Sequence, residues 1–120
     1  MPKTPTPAQT LRQLKADARI KSFYAWLIRN QIPLPIAEYR FHPPRRWRFD
    51  FCWTRHKVAL ENQGGLFSGG RHTRGAALLN EHEKLNQAAA DGYRVIFATP
   101  QTLCSPATLE LLATVLRNEP

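Results

Sequence analysis

Between residues 8 and 30 no proline or glycine interrupts the chain. Leu11, Leu14, Ala18 and Leu27 recur there at helical spacing, with Phe23 or Tyr24 between them. That pattern predicts one amphipathic helix. Its other face carries Arg12, Lys15, Arg19 and Lys21 and is expected to be solvated, with contact to DNA as the alternative. Pro33 and Pro35 end the helix, and the pattern then changes to the two-residue period of strands. Residues 37–41 form the first predicted strand, and a turn holding Pro43 and Pro44 follows. Residues 47–53 form the second, with Phe49, Phe51 and Trp53 on one face and Arg48, Asp50 and Cys52 on the other. After a short hairpin loop at residues 54–56, residues 57–63 form the third. In it Val58 and Leu60 face one way, and Ala59, Glu61 and Gln63 the other.

Five of the six glycines fall in the loop 64–75, GGLFSGGRHTRG. A helix over 76–90 is predicted next, with Leu78, His82, Leu85 and Ala89 on one stripe, ended by Gly92. A fourth strand over 93–99, stopped by Pro100, and a helix over 106–117 complete the order α, three strands, α, strand, α. A meander followed by a crossover helix and another strand implies an α/β fold: a mixed four-stranded sheet flanked by helices. Residues 1–7, with three prolines, read as a disordered leader, and residues 8–120 as one domain.

Charge adds a partner to this picture. The net charge is +8, and twelve of the seventeen basic residues are arginine, whose planar fork of donors suits phosphate oxygens. A nucleic-acid partner fits that balance, and a merely soluble basic protein is the plainer alternative. Two cysteines give no disulfide framework, and Cys52 in its aromatic run reads as a buried small residue. No apolar run approaches the roughly 18 residues of a membrane span. No signal peptide is evident, so a cytoplasmic setting, bacterial or in a phage-infected host, is expected. The histidines and cysteines lack CxxC or HxxxH spacing, so structural zinc is not expected. The series His72, Asn80, His82 lacks the context of an HNH nuclease, and His82 is expected to pack on its helix's apolar stripe.

Asp50 and Glu61 are the informative pair. Each lies inside an otherwise apolar strand, and a hairpin at 54–56 brings them near one another across the ladder. Two carboxylates so placed repel unless a cation sits between them. Mg²⁺ (or Mn²⁺) suits, because it takes carboxylate oxygens while keeping water and a substrate phosphate. Pairing of both acids with the many arginines is the plainer alternative.

Five segments carry a family resemblance: RFDF (48–51), VALENQGG (58–65), SGGRHTRG (68–75), EKLN (83–86) and GYRVIFATP (92–100). Over about half of its length the chain resembles a small phage-type member of the PD-(D/E)XK nuclease superfamily. The likeness is to the virus-type replication-repair (VRR-NUC) and very-short-patch-repair-like branches. The resemblance implies a restriction-endonuclease-like αβββαβ core and divalent-metal cleavage of a phosphodiester. It makes Asp50 and Glu61 metal ligands and puts Gln63 where the motif has lysine. Gln can orient a water but supplies no charge. A cation would then come from Lys84 on the next helix, or from Arg71 or His72 in the loop. The plainer reading of Glu81 and Lys84 is an ordinary exposed pair three residues apart.

Further candidates surround this centre. Glu38 and Glu81 are possible additional acids. Arg71, His72 and Arg74, in a glycine-rich loop leading into a helix N-terminus, suit a phosphate clamp, with a flexible hairpin-like tip as the plainer alternative. Arg45, Arg46 and Arg48, interleaved with Trp47, suit backbone contacts or stacking, and Arg48 is alternatively placed to neutralise Asp50. The expected activity is structure-selective or weakly specific cleavage of DNA, since a small domain leaves little protein for reading bases. A homodimer would suit paired cuts. The rival readings are a catalytically inactive nucleic-acid-binding module and an interaction or inhibitor protein that reuses the fold.

Overall fold

The computed structural model describes residues 6–63 and 75–118. Helix α1 spans Pro7–Arg29. Strands β1 (Ile36–Arg40), β2 (Arg48–Trp53) and β3 (Val58–Asn62) follow, then α2 (Ala76–Ala90), β4 (Arg94–Ala98) and α3 (Pro106–Arg117). The strands form one sheet in the order β1-β2-β3-β4. The first two pairings are antiparallel and the β3–β4 pairing is parallel. The result is the α/β arrangement with a mixed four-stranded sheet flanked by helices. No helix is long and apolar enough to cross a membrane among the described residues.

Local chemistry fixes the ends of the elements. Thr6 and Gln9 form a reciprocal capping box with Pro7 in the first turn, so the helix begins inside the stretch expected to be a disordered leader. Ser105 and Pro106 open α3 in a similar way. Gly92, at φ +88°, takes the left-handed turn that releases the chain from α2 into β4. Trp53 Nε1 donates to the Pro33 carbonyl at 2.6 Å and the Tyr24 hydroxyl to that of Pro35 at 2.8 Å. These two bonds pin the proline-rich connection to the core.

Two apolar layers sandwich the sheet. On one face Phe23 and Leu27 of α1 and Leu112 of α3 pack on Phe51, Trp53, Val58 and Leu60. On the other, Ala88 of α2 covers Cys52 and Ala59, beside an aromatic group of Phe41, Phe49 and Tyr93. Phe41 and Phe49 stack with centroids 4.1 Å apart.

Three sequence expectations fail here for geometric reasons. Phe49 does not share a face with Phe51 but lies with Cys52 on the α2 side. In β1, likewise, Ala37 packs on the α1 side and Tyr39 on the α2 side. Both strands change face between these positions, where Glu38 adopts φ +52°. Leu11 and Leu14 are exposed, because the first half of α1 buries no described residue on any side and the helix packs only through its second half, at Phe23 and Leu27. The buried line of α2 is Lys84 and Ala88. Leu78 is half exposed, and His82, expected to pack, is exposed on the far side.

Candidate active site

Pairing of Phe51 with Leu60, Cys52 with Ala59 and Trp53 with Val58, carried one residue further, sets Asp50 opposite Glu61. The Asn62 backbone N–H donates to Asp50 Oδ2 at 2.7 Å and fixes that carboxylate at the open end of the β2–β3 ladder. Asp50 lines a cavity of about 220 Å³ together with Arg19, Glu38, Phe51, Asn62 and Leu103.

Glu61 is buried, with 6% of its surface exposed. Lys84, the inward residue of α2, donates from Nζ to Glu61 Oε1 at 2.5 Å. Burial is the largest influence on Glu61 and raises its carboxyl; the Lys84 ammonium opposes this, and the neighbouring Asp50 raises it again. The result lies at about 7. A carboxyl perturbed by burial, a cation and a second acid marks a candidate functional site. Structural ion pairs share part of that pattern; the facing Asp50, which raises the Glu61 carboxyl further, is the feature a simple pair lacks.

The donor chemistry fits a hard divalent cation. Two carboxylates face one another, and oxygen is the ligand Mg²⁺ and Mn²⁺ prefer. Among the described residues no three His, Cys, Asp or Glu side chains converge, so such an ion would complete its shell with water and phosphate oxygens.

The other predicted residues distribute as follows. Gln63 is half-buried, and its backbone N–H donates to Ala98 O at 2.8 Å, holding it just past the β3–β4 ladder. Glu38 lines the Asp50 cavity but is paired with Arg48 at 3.8 Å, so Arg48 neutralises Glu38 rather than Asp50. Lys84 turns inward to Glu61 instead of forming an exposed pair with Glu81, which is only half-buried on α2. Arg45 stacks on Trp47 at 3.7 Å and pairs with Glu83 at 3.2 Å. That leaves Arg46 as the uncommitted cation of the basic-aromatic patch among the described residues. Arg71, His72 and Arg74 lie outside the described residues.

Sequence reasoning missed one participant, Asn62, and left Arg19 between solvent and DNA without placing it at the site. Asn62 acts through its backbone amide, which leaves no side-chain signal to read. Arg19 does leave one, since it precedes the buried Phe23 by four residues and so shares its side of α1. Comparison with protein-family models, curated proteins and solved structures returns no match.

Proposed function

We propose that this chain is a divalent-metal-dependent nuclease with a restriction-endonuclease-like core, hydrolysing phosphodiester bonds of DNA. The observation that carries the reading is the buried Glu61, facing Asp50 across the ladder and held by Lys84 from the following helix. The order of elements and the strongly basic composition support it.

In this reading Asp50 and Glu61 hold Mg²⁺ or Mn²⁺, which supplies Lewis-acid polarisation of the phosphate when bound. The Asn62 amide keeps Asp50 in place. Lys84 brings a positive charge to the position the motif's lysine would serve, from a helix instead of from β3. There it offsets charge developing on the phosphoryl oxygens. Gln63 orients the attacking water through its side-chain amide.

The test is cleavage of a panel of duplex, single-stranded, flapped and four-way DNA with Mg²⁺ or Mn²⁺. Asp50→Asn and Glu61→Gln should each lower the rate by at least about a hundredfold while oligonucleotide binding survives. Full activity in either variant would remove the site assignment. One observation favours a second reading: Gln63 stands in the lysine position and Lys84 is engaged with Glu61. A binding module without chemistry would then show salt-sensitive DNA binding and no cleavage with either metal.

A further inference from the structure

Helix α1 is longer than the sheet it covers. Its second half packs through Phe23 and Leu27, while every described residue from Thr6 to Arg19 is exposed. At about 100° per residue, Arg12, Lys15 and Arg19 fall within roughly 60° of one another and within roughly 80° of Phe23, on the same side. The inner face of the helix is therefore apolar over the sheet and basic where it overhangs.

This basic face leads to the carboxylates. Gln9, Arg12, Gln13, Lys15 and Arg19 line an open hollow of about 550 Å³. Arg19 also lines the cavity that holds Asp50 and Glu38, and a neighbouring hollow of about 270 Å³ over Asn62 and Phe23. One arginine thus joins the overhang to the candidate site. Among the described residues no carboxylate lies within ion-pair distance of Arg12, Lys15 or Arg19. Asp17, the sole acid of the helix, is turned roughly 160° from Arg19 and accepts a hydrogen bond from Gln13.

We propose that the overhanging half of α1 is a nucleic-acid-binding arm, whose Arg12, Lys15 and Arg19 carry a phosphate backbone to the Asp50 cavity. The direction of that strand rests on the nuclease reading; the binding itself does not. The three charges span about 10 Å of helix. With one phosphate per about 3.4 Å of strand, that matches about three phosphates. A lipid surface fits less well, because a membrane-lying helix sets its cations astride an apolar face, whereas Leu11 and Leu14 are rotated roughly 80° to 140° away from Arg19.

The experiment is fluorescence anisotropy of labelled single-stranded and duplex oligonucleotides across a salt series, in EDTA so that nothing is cleaved. The triple variant Arg12→Gln, Lys15→Gln, Arg19→Gln is compared with Arg29→Gln, Arg55→Gln, Arg117→Gln, which removes the same charge from other exposed positions. Both are first matched to the parent by thermal melts. For the single strand, the arm variant should lower the slope of log K against log salt by about two, and the control by less than about 0.5. Equal slopes in the two variants overturn the proposal. So does loss of binding to anionic phosphatidylserine vesicles with the oligonucleotide slope unchanged. A lowered slope in a protein that cleaves no substrate leaves the arm standing and removes the nuclease. Asp50-dependent cleavage with an unchanged slope does the reverse.

Discussion

Lys84 has two tasks. It is the partner that makes a buried Glu61 tolerable, and in the nuclease reading it is the cation that serves the facing carboxylates, being the one paired with Glu61 among the described residues. Removing one member of a buried pair costs about 3–5 kcal/mol when the other must stay charged. Glu61, already raised to about 7, can relieve part of this by taking up a proton. Lys84→Met should therefore destabilise the fold by about 3 kcal/mol in denaturant titration, and adding Glu61→Gln should recover part of the loss. A coupling energy near zero in that double-mutant cycle would show that the contact is not felt. Activity separates the second task from the first. Lys84→Ala should cripple cleavage, and Gln63→Lys in the same chain should restore some of it by returning a cation from β3. Gln63→Lys alone should gain little, because two cations would compete for one place. Harmless loss of Lys84 in a stably folded variant would reduce it to a structural ion pair.

At the scale of the elements, the change of face in β1 and β2 sets the site. The switch puts Phe49 behind Lys84, with the ammonium 5.8 Å from its ring centroid. It also leaves Asp50 at the boundary between the two packing layers. Glu38, at φ +52°, bears the backbone cost, about 1–2 kcal/mol for an ordinary residue held in the left-handed region. Glu38→Val should add about 1 kcal/mol of destabilisation, because a β-branched side chain suits that region less. Glu38→Gly should be neutral or slightly stabilising. Loss of the exposed Arg48 contact changes little in either variant. Equal effects of Val and Gly in thermal melts would mean the strain is relieved in solution. This irregularity was not legible in the sequence, since strict alternation from Phe49 to Trp53 is what a regular strand would show. Element order and the Asp50–Glu61 juxtaposition were legible, because apolar periodicity and the tight turn at residues 54–56 are local signals. The buried line of α2 was not. Its apolar side chains run along Leu78, Leu85 and Ala89, but the helix rotates to deliver Lys84 to Glu61, and a buried charge outweighs that pattern only once its partner is in place.

Across the whole molecule, a set of polar contacts ties the turn after β1 to α2 and so fixes the helix that carries Lys84. His42 Nδ1 lies 2.7 Å from Asp91 Oδ2, Trp47 Nε1 donates to Asn80 at 3.1 Å, and Arg45 reaches Glu83. Asp91 is the centre of this latch. It accepts from Gln87 Nε2 at 2.8 Å, and Lys57 Nζ donates to its carbonyl at 3.2 Å. The Gln87 hydrogen bond is the largest influence holding the Asp91 carboxyl below its ordinary value, and the bond with His42 is the next. The sign of the pH effect follows. Folded Asp91 releases its proton more readily than the unfolded chain does, so protonation favours unfolding. The stabilisation is fully present above the ordinary aspartate pKa and is lost as pH falls through the lowered folded value. Urea midpoints measured between about pH 5 and pH 2 should fall for the parent chain as this carboxylate titrates. Asp91→Asn keeps an acceptor for Gln87 but has no such proton to take up. It should start less stable at neutral pH and lose less across the acid range, so the two curves converge. His42→Ala removes one of the two hydrogen bonds that lower the carboxyl and should shift the parent's acid limb only part of the way. Parallel curves for the parent and Asp91→Asn would place the acid sensitivity in other carboxylates and leave the latch without a part in it.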